Sequence, residues 1–194
     1  MSATTITRPP TSTDREELVE LLTKFALVKE DVTLSSGAKA KYLVDAKRVV
    51  MSPAGFQVIG RLVREQIARL GATAVGGLTL GADPIAYATL AVGANAKVFV
   101  VRKEPKEHGL RQAIEGVPLT AGDRCLVVDD VVTTGKSTIT AVNALVARGL
   151  TICGVVCICD RLAGGGEAIR EAIGDAPYLA LTTIDEVYPE RPDH

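Results

Sequence analysis

The chain has 194 residues, of which 47% are apolar and none is tryptophan, a composition typical of one globular domain with a sizeable core. Its 22 basic and 23 acidic residues leave a net charge of −1, without the basic surplus typical of a nucleic-acid-binding domain. No apolar run approaches the ~20 residues of a membrane span and the polar start lacks an apolar signal core, so we expect a cytoplasmic protein with no membrane partner.

The N-terminal part of the chain is predicted to be helical and then briefly extended. The pattern Thr13-Asp14-Arg15-Glu16 is typical of a capping box, and apolar residues at helical spacing predict a helix from there to about Val28. Residues 32–34 and 42–45 are predicted to be two short strands of a hairpin-like element around Ser35-Ser36-Gly37.

After this segment, strands and helices alternate along the chain. Ser52 followed by Pro53 is typical of a helix start. The strands are predicted over residues 74–78, 97–102, 124–129, 151–160 and 178–181, the helices over 84–92, 135–148 and 167–173, and a polar loop over 103–116. Because the strands are apolar throughout, the sequence predicts an α/β fold with a central parallel sheet flanked by helices. We expect residues 1–45 to form a separate tail, helix and hood, and residues 46–194 the core domain.

The four cysteines all lie in these apolar, strand-like runs, at positions 125, 153, 157 and 159. Their spacing is not the paired C-x-x-C of a zinc site. We therefore expect the cysteines to be small, reduced core residues and not a zinc site, and we assign no side chain of the chain as a metal ligand.

The most informative segment joins the end of a predicted strand to the start of a helix. Two adjacent acids, Asp129 and Asp130, come before a Thr/Gly/Ser loop at residues 133–137. A helix N-terminus with small hydroxyl residues binds anions, and the two carboxylates can accept hydrogen bonds from sugar hydroxyls or a hydrated metal ion. The segment therefore indicates a phosphorylated sugar as ligand. The alternative is an N-capping threonine beside two solvated acids.

The end of this loop, Gly135-Lys136-Ser137, also matches the end of the nucleotide-binding pattern G-x-x-x-x-G-K-[ST]. The first glycine of that pattern would fall at position 130, which is Asp130. A carboxylate there would repel the phosphates that the loop has to hold. The sequence therefore argues against a nucleoside triphosphatase.

Residues 125–137 resemble instead the ribose-phosphate motif of type I phosphoribosyltransferases: an apolar strand, two acids, two further residues and T-T/A-G-x-S/T. The resemblance implies the fold of that family, with a small N-terminal hood. It also implies that the loop grips the 5-phosphate of phosphoribosyl pyrophosphate while Asp129 and Asp130 face the ribose hydroxyls. The substrate-binding residues implied by this motif are Asp129, Asp130, Val131, Val132, Thr133, Thr134, Gly135, Lys136 and Ser137.

A second segment, R-K-E-P-K-E-H-G at residues 102–109, holds three cations and one of only two histidines. Taken alone, it would be a solvated, mobile charge run. It resembles R-K-x-x-K-x-H-G, the catalytic loop of orotate phosphoribosyltransferases, which other members of the superfamily generally lack. The resemblance implies that Arg102, Lys103, Lys106 and His108 act on the pyrophosphate. It also implies a homodimer, because part of this loop reaches into the partner subunit in that family.

Arg161 follows Asp160 at the end of the longest predicted strand. The resemblance implies that Arg161 pairs with the carboxylate of orotate, for which a guanidinium fork is well suited. Thr133 matches a family residue that also contacts orotate. The alternative for Arg161 is a structural salt bridge with Asp160 or Glu167.

Two departures from the family pattern concern lysines. Many relatives have F-T-L-K-S-G-R where residues 32–38 read V-T-L-S-S-G-A, so the substrate-facing lysine is Ser35 here. Relatives also often have G-x-x-Y-K-G where residues 76–81 read G-G-L-T-L-G, so Leu80 replaces the second lysine. We expect the glycines of this turn to permit the backbone angles with which its amides hold pyrophosphate.

The resemblance implies an enzyme of pyrimidine (UMP) biosynthesis that joins orotate to phosphoribosyl pyrophosphate, with Mg²⁺ as cofactor, and gives orotidine 5-monophosphate and pyrophosphate. The catalytic residues it implies are Arg102, Lys103, Lys106, His108, Asp129 and Asp130. Two alternatives stay open at this point. A phosphoribosyltransferase for a purine or uracil is disfavoured by the 102–109 loop. A regulatory protein that binds without catalysis is disfavoured by the loop cations and by the near-zero net charge.

Overall fold

A computed structural model describes residues 12–30, 32–33, 39–103 and 113–192. The predictions for Ser35, Lys106 and His108 lie outside these residues. In the part of the chain that is described, no helix is both long enough and apolar enough to cross a membrane.

The chain starts with helices and short strands before the central sheet. In order these are α1 (Ser12–Leu21), a π-helical turn (Leu22–Ala26), β1 (Leu27–Val28), β2 (Val32–Thr33), β3 (Lys39–Ala40), β4 (Leu43–Val44), α2 (Lys47–Val50) and α3 (Pro53–Leu70). The predicted start of α3 is confirmed, since Pro53 is its first residue and the Ser52 hydroxyl accepts a hydrogen bond from the Gly55 N–H at 3.2 Å.

Two N-terminal predictions are wrong in detail. The first helix stops before Leu27, because Leu27 and Val28 pair with β4 instead of continuing the helix. The predicted hairpin partner of residues 32–34 was residues 42–45, but β2 pairs with β3 and β4 pairs with β1. Strands of only two residues carry too little apolar alternation to define a register from sequence.

The rest of the chain forms a central sheet and the helices that cover it. Its elements are β5 (Ala74–Leu78), α4 (Ala82–Ala91), β6 (Lys97–Val101), β7 (Ile114–Gly116), β8 (Arg124–Val132), α5 (Lys136–Val146), β9 (Thr151–Asp160), α6 (Gly165–Ile173), β10 (Tyr178–Thr183) and α7 (Ile184–Val187). The strand order is β10-β9-β8-β5-β6-β7, with parallel pairing except between β6 and β7. The predicted parallel sheet is confirmed. The edge strand β7 was missed because it lies within the polar stretch.

Apolar clusters cover both faces of this sheet. On one face, α1, α3 and α4 pack with buried side chains such as Leu18, Ile59 and Ile85. On the other face, α5 and α6 contribute Leu145 and Ile169. Because α1 shares its cluster with α3, part of the N-terminal segment packs on the core, while the predicted boundary near residue 45 stays a prediction.

The cysteines are core residues, as the sequence indicated. All four are free and buried. Burial raises the pKa of the Cys125 and Cys159 thiols to about 12, so both stay protonated and unreactive at neutral pH.

Candidate active site

The candidate site lies where the order of the strands reverses. β6 lies on one side of β5 and β8 on the other, so the loops after β5 and β8 leave the same edge of the sheet. In open α/β sheets, ligands bind at this switch point, outside the carboxyl ends of the strands. The predicted phosphate loop follows β8, and the glycine-rich turn follows β5.

The phosphate loop connects β8 to α5 through three bent residues, Thr133, Thr134 and Gly135. Gly135 has a left-handed backbone with φ +75°, which a glycine adopts without strain, and it directly precedes the helix. Thr134, Lys136 and Ser137 are exposed, whereas Gly135 is buried. The loop therefore presents hydroxyl groups to solvent at the positive end of an 11-residue helix, as an anion site requires.

The first acid of the motif, Asp129, is buried at 6% exposure and faces α5. Its carboxylate accepts hydrogen bonds from the Thr138 hydroxyl at 2.6 Å and from the Asp130 N–H at 3.0 Å. Burial raises the pKa of Asp129, and the charge of Asp130 adds to the rise, while the bond from Thr138 opposes it. The Thr138 bond spans the whole phosphate loop and so fixes the distance between β8 and α5.

The second acid, Asp130, faces the opposite side of β8. Neighbouring residues of a strand alternate in direction, and β8 continues to Val132 instead of ending at Asp129 as predicted. The Asp130 carboxylate accepts hydrogen bonds from the Val131 N–H at 2.9 Å and from the Lys47 ammonium at 3.3 Å. The structure therefore gives the two acids different surroundings, of which that of Asp130 is the more accessible.

The turn after β5 lies directly against Asp130. A Cβ atom on Gly81 would stand 2.6 Å from the Asp130 Oδ1, so a side chain at Gly81 would collide with that carboxylate. The Thr79 hydroxyl donates to the Asp83 Oδ2 at 2.7 Å and ties the turn to the start of α4, and the Thr79–Leu80 peptide is cis. This contact joins the predicted pyrophosphate turn to the predicted ribose subsite.

The expected reason for the glycines in this turn is wrong. Gly76, Gly77 and Gly81 do not have positive φ angles. At Gly76 and Gly77 the backbones of Phe99 and Val128 lie too close for a side chain, and at Gly81 a side chain would require the Asp130 carboxylate to move. Close packing of strands and site, and not backbone angle, explains the glycine pattern.

Arg102 and Lys103 border a cavity of about 800 Å³ that the same turn also lines. The cavity is also lined by Thr79, Leu80 and Asp83. Arg102 forms an ion pair with Glu115 of β7 at 3.0 Å, and both residues are partly exposed. The described start of the predicted catalytic loop therefore faces the turn that touches Asp130.

Arg161 follows β9 at the same edge of the sheet, and its backbone N–H donates to the Val132 carbonyl at 2.8 Å. The predicted alternative, an ion pair with Asp160 or Glu167, is not formed in the described residues. Asp160 instead accepts hydrogen bonds from Tyr178 and the Leu162 N–H. The Arg161 guanidinium lies over the buried ring of Tyr42, 4.7 Å from its centroid, and its Nε atom is buried without a partner among the described residues.

Sequence reasoning missed two residues that shape this site. A Cβ atom on Gly165, at the start of α6, would lie 2.5 Å from the Thr133 carbonyl oxygen and 2.7 Å from the Gly135 nitrogen, so α6 packs against the back of the phosphate loop. Lys47 of α2 pairs with Asp130. The only signal for the first was the run Gly164-Gly165-Gly166, and no motif marked the second.

A parallel sheet with a two-acid strand, a phosphate loop and a glycine-rich turn at its switch point defines the phosphoribosyltransferase class. The family model described as a phosphoribosyl transferase domain matches residues 46–172. The orotate phosphoribosyltransferase of Corynebacterium glutamicum is 45% identical over 174 residues, which are 89% of this chain and 93% of the relative. The chain therefore belongs to the orotate phosphoribosyltransferase family.

Solved structures agree with this placement. A crystal structure of the Mycobacterium tuberculosis orotate phosphoribosyltransferase in complex with Fe(III) dicitrate has a TM-score of 0.80 at 44% identity, over 90% of this chain and 99% of that one. The same enzyme in complex with 5-phospho-α-D-ribosyl 1-diphosphate has a TM-score of 0.76 at 42% identity, over 90% and 98% of the two chains.

Proposed function

We propose that this chain transfers the 5-phosphoribosyl group from phosphoribosyl pyrophosphate to orotate in pyrimidine biosynthesis, and gives orotidine 5-monophosphate and pyrophosphate. The observation that carries the proposal is the convergence of three groups around one turn. The turn at residues 79–81 lies against Asp130 through Gly81 and lines the cavity of Arg102 and Lys103 through Thr79 and Leu80, in a chain of the orotate phosphoribosyltransferase family.

The reaction separates charge, and the site has matching charges on each side. As the bond from the ribose C1 to pyrophosphate breaks, positive charge grows on the sugar and negative charge on the leaving group. Arg102 and Lys103 would stabilise the leaving pyrophosphate, together with Lys106 and His108, since fixed cations act most strongly on charge that develops in the transition state.

The acids of β8 would bind the ribose. Asp130 is the more accessible of the two, and its carboxylate can accept further hydrogen bonds from ribose hydroxyls because each oxygen has two lone pairs. Asp129 would orient the phosphate loop through Thr138, so that the exposed Thr134 and Ser137 meet the 5-phosphate. This division of roles supports a ribose 5-phosphate held at two points.

Arg161 would select orotate by pairing with its carboxylate. The guanidinium is free of carboxylate partners in the described residues and is supported on one side by the Tyr42 ring. A planar fork of donors pairs with a carboxylate through two parallel hydrogen bonds. Uracil lacks this carboxylate, and a purine lacks it as well, so both should be poor substrates.

We also propose Mg²⁺ as the cofactor. Among the described residues, no group of three or more His, Cys, Asp or Glu side chains could hold a metal ion by itself. The described side chains therefore suit Mg²⁺ that is coordinated mainly by substrate oxygens and water, with Asp130 as the accessible carboxylate nearby. When bound, Mg²⁺ would neutralise charge on the pyrophosphate.

Removal of Mg²⁺ with EDTA should abolish turnover and added Mg²⁺ should restore it. Full turnover in EDTA would contradict the proposal.

We further propose a homodimer in which the loop at residues 102–109 serves the partner's site. Support comes from two exposed apolar side chains that line the cavity, Leu80 and Tyr87, which are 58% and 50% exposed. A mixture of Lys103→Ala and Arg161→Ala subunits tests this directly. If the loop acts in trans, about a quarter of wild-type activity should return, since half of the dimers are hybrids with one intact site. Activity no higher than that of the separate variants would argue against a shared loop.

A cytoplasmic location is part of the same proposal, supported by the four free cysteines, which suit a reducing compartment. Recovery of the protein with membranes or in an oxidising compartment after cell fractionation would contradict it.

Substrate choice tests the proposed function against its nearest alternatives. Pyrophosphate release should be measured with phosphoribosyl pyrophosphate and Mg²⁺ in the presence of orotate, uracil or a purine base. We expect release with orotate alone. Release with a purine or uracil but not with orotate would assign the protein to another base, and no release with any base would favour a binding protein.

A further inference from the structure

Lys47 is a cation that no motif predicted and that contacts the candidate ribose subsite. Its ammonium nitrogen lies 3.0 Å from the Asp45 Oδ1 and 3.3 Å from the Asp130 Oδ2. An ammonium group has three hydrogens. In the described part of the chain, Asp130 accepts one of them, and Asp45 forms an ion pair without hydrogen-bond geometry. The side chain is 41% exposed, so a ligand can reach the ammonium while both carboxylates hold it.

The position of this ammonium relates it to the pyrophosphate turn. Lys47 approaches one oxygen of Asp130, and Gly81 lies against the other oxygen of the same carboxylate. The turn itself, residues 76–81, contains no cation, and its exposed side chain is the apolar Leu80. Pyrophosphate at this turn would therefore meet a lysine from α2 instead of one from the turn.

Lys47 keeps its positive charge in this environment. Burial works to lower the pKa of its ammonium, but the close contact with Asp45 and the negative charges of Asp130 and Asp45 outweigh it and raise the pKa. The lysine thus stays protonated at neutral pH and offsets the charge of Asp130, which would otherwise repel an anionic substrate.

We propose that Lys47 binds the pyrophosphate group of phosphoribosyl pyrophosphate, donating one ammonium hydrogen to a pyrophosphate oxygen while it donates another to Asp130 and stays ion-paired with Asp45. This inference rests on the proposed function for its substrate. It adds a binding residue from α2 to the pyrophosphate subsite and accounts for a turn that has Leu80 in place of a lysine.

The test compares Lys47→Met, which keeps the length of the side chain but removes its charge, with two further variants. Loss of a hydrogen bond to a charged group should raise the KM for phosphoribosyl pyrophosphate, and for pyrophosphate in the reverse reaction, by about 10- to 100-fold. The KM for orotate and for orotidine 5-monophosphate should stay near wild type. Lys47→Arg should recover most of the loss. Arg48→Met is the matched control, since Arg48 is adjacent and 56% exposed but pairs with Asp45 and not with Asp130, and it should change neither KM.

Three results would overturn the inference: an unchanged KM for pyrophosphate in Lys47→Met, an equal rise in Arg48→Met, or an equal rise in the KM for orotidine 5-monophosphate. The last would mean that Lys47 acts on the ribose subsite through Asp130 alone. Calorimetric titration with magnesium pyrophosphate, without any base, separates this inference from the proposed function. Tighter binding by wild type than by Lys47→Met, in a protein that does not turn over orotate, would support Lys47 and reject the proposed function.

Discussion

Gly165 provides the sharpest test of how the phosphate loop is held, because a single added methyl group would meet backbone atoms of that loop. Its Cβ would stand 2.5 Å from the Thr133 carbonyl oxygen, 2.7 Å from the Gly135 nitrogen and 2.7 Å from the Val132 Cγ1. Gly165 does not have a positive φ, so Gly165→Ala changes the space and not the backbone preference. Ordinary contacts lie near ~3.5 Å, so loop and helix must separate by roughly 1 Å.

A shift of this size has a cost in stability and a larger one in binding. Overpacking typically costs about 1–3 kcal/mol, which should lower the melting temperature by about 2–4 °C for each kcal/mol in a chain of this length. Misplacing a binding group by about 1 Å can cost ~100-fold in rate. We expect kcat/KM for phosphoribosyl pyrophosphate to fall about 10- to 100-fold, and the inhibition constant of ribose 5-phosphate to rise by a similar factor.

The assay is steady-state consumption of orotate, with ribose 5-phosphate as competitor and circular dichroism to follow folding. Gly122→Ala is the matched control, since its Cβ would have no atom within 4 Å and its φ is not positive. It should behave as wild type. A folded Gly165→Ala protein with wild-type affinity for both phosphorylated sugars would refute the packing argument and the assignment of the loop.

Three further changes test other parts of the molecule. Lys103→Ala should lower turnover by ~100-fold or more, because it removes a fixed cation from the leaving group, and turnover near wild type would contradict that role. Arg161→Ala should raise the KM for orotate far more than that for phosphoribosyl pyrophosphate, whereas equal rises would argue against a carboxylate clamp. Hydrogen bonds, chiefly from Lys97, hold the pKa of Asp123 well below its usual range. Below about pH 4 the unfolded chain therefore binds more protons at this position than the folded chain does. The stability that Asp123 contributes should therefore be complete at neutral pH and be lost in acid. Asp123→Asn should be less stable to urea at pH 7 and lose less stability on acidification, and an equal acid dependence would refute the linkage.

The phosphate loop could be predicted because all of its parts are contiguous in sequence. A strand, two acids and a helix start within residues 125–137 define it locally, and the structure has β8, the bend and α5 in that order. The different surroundings of Asp129 and Asp130 could not be predicted, because the end of β8 depends on its pairing with β9. That pairing continues as far as Val132, which lies opposite Asp160.

The residues that support the site were harder to predict because they come from distant parts of the chain. Lys47 and Asp130 are 83 positions apart, and their contact depends on how α2 packs near the sheet edge. From the sequence alone, Gly165 has no visible role, because its contact with the phosphate loop depends on α6 packing behind that loop. The sequence showed a glycine at position 81 but not its close approach to the Asp130 carboxylate. That approach depends on strands β5 and β8 being neighbours.

The most direct test of the central claim is the absorbance of orotate after phosphoribosyl pyrophosphate and Mg²⁺ are added to the purified protein. The proposed function predicts loss of orotate absorbance that depends on both additions, with one pyrophosphate formed for each orotate consumed. Unchanged orotate absorbance under these conditions, from a folded protein that still binds phosphoribosyl pyrophosphate, would contradict it.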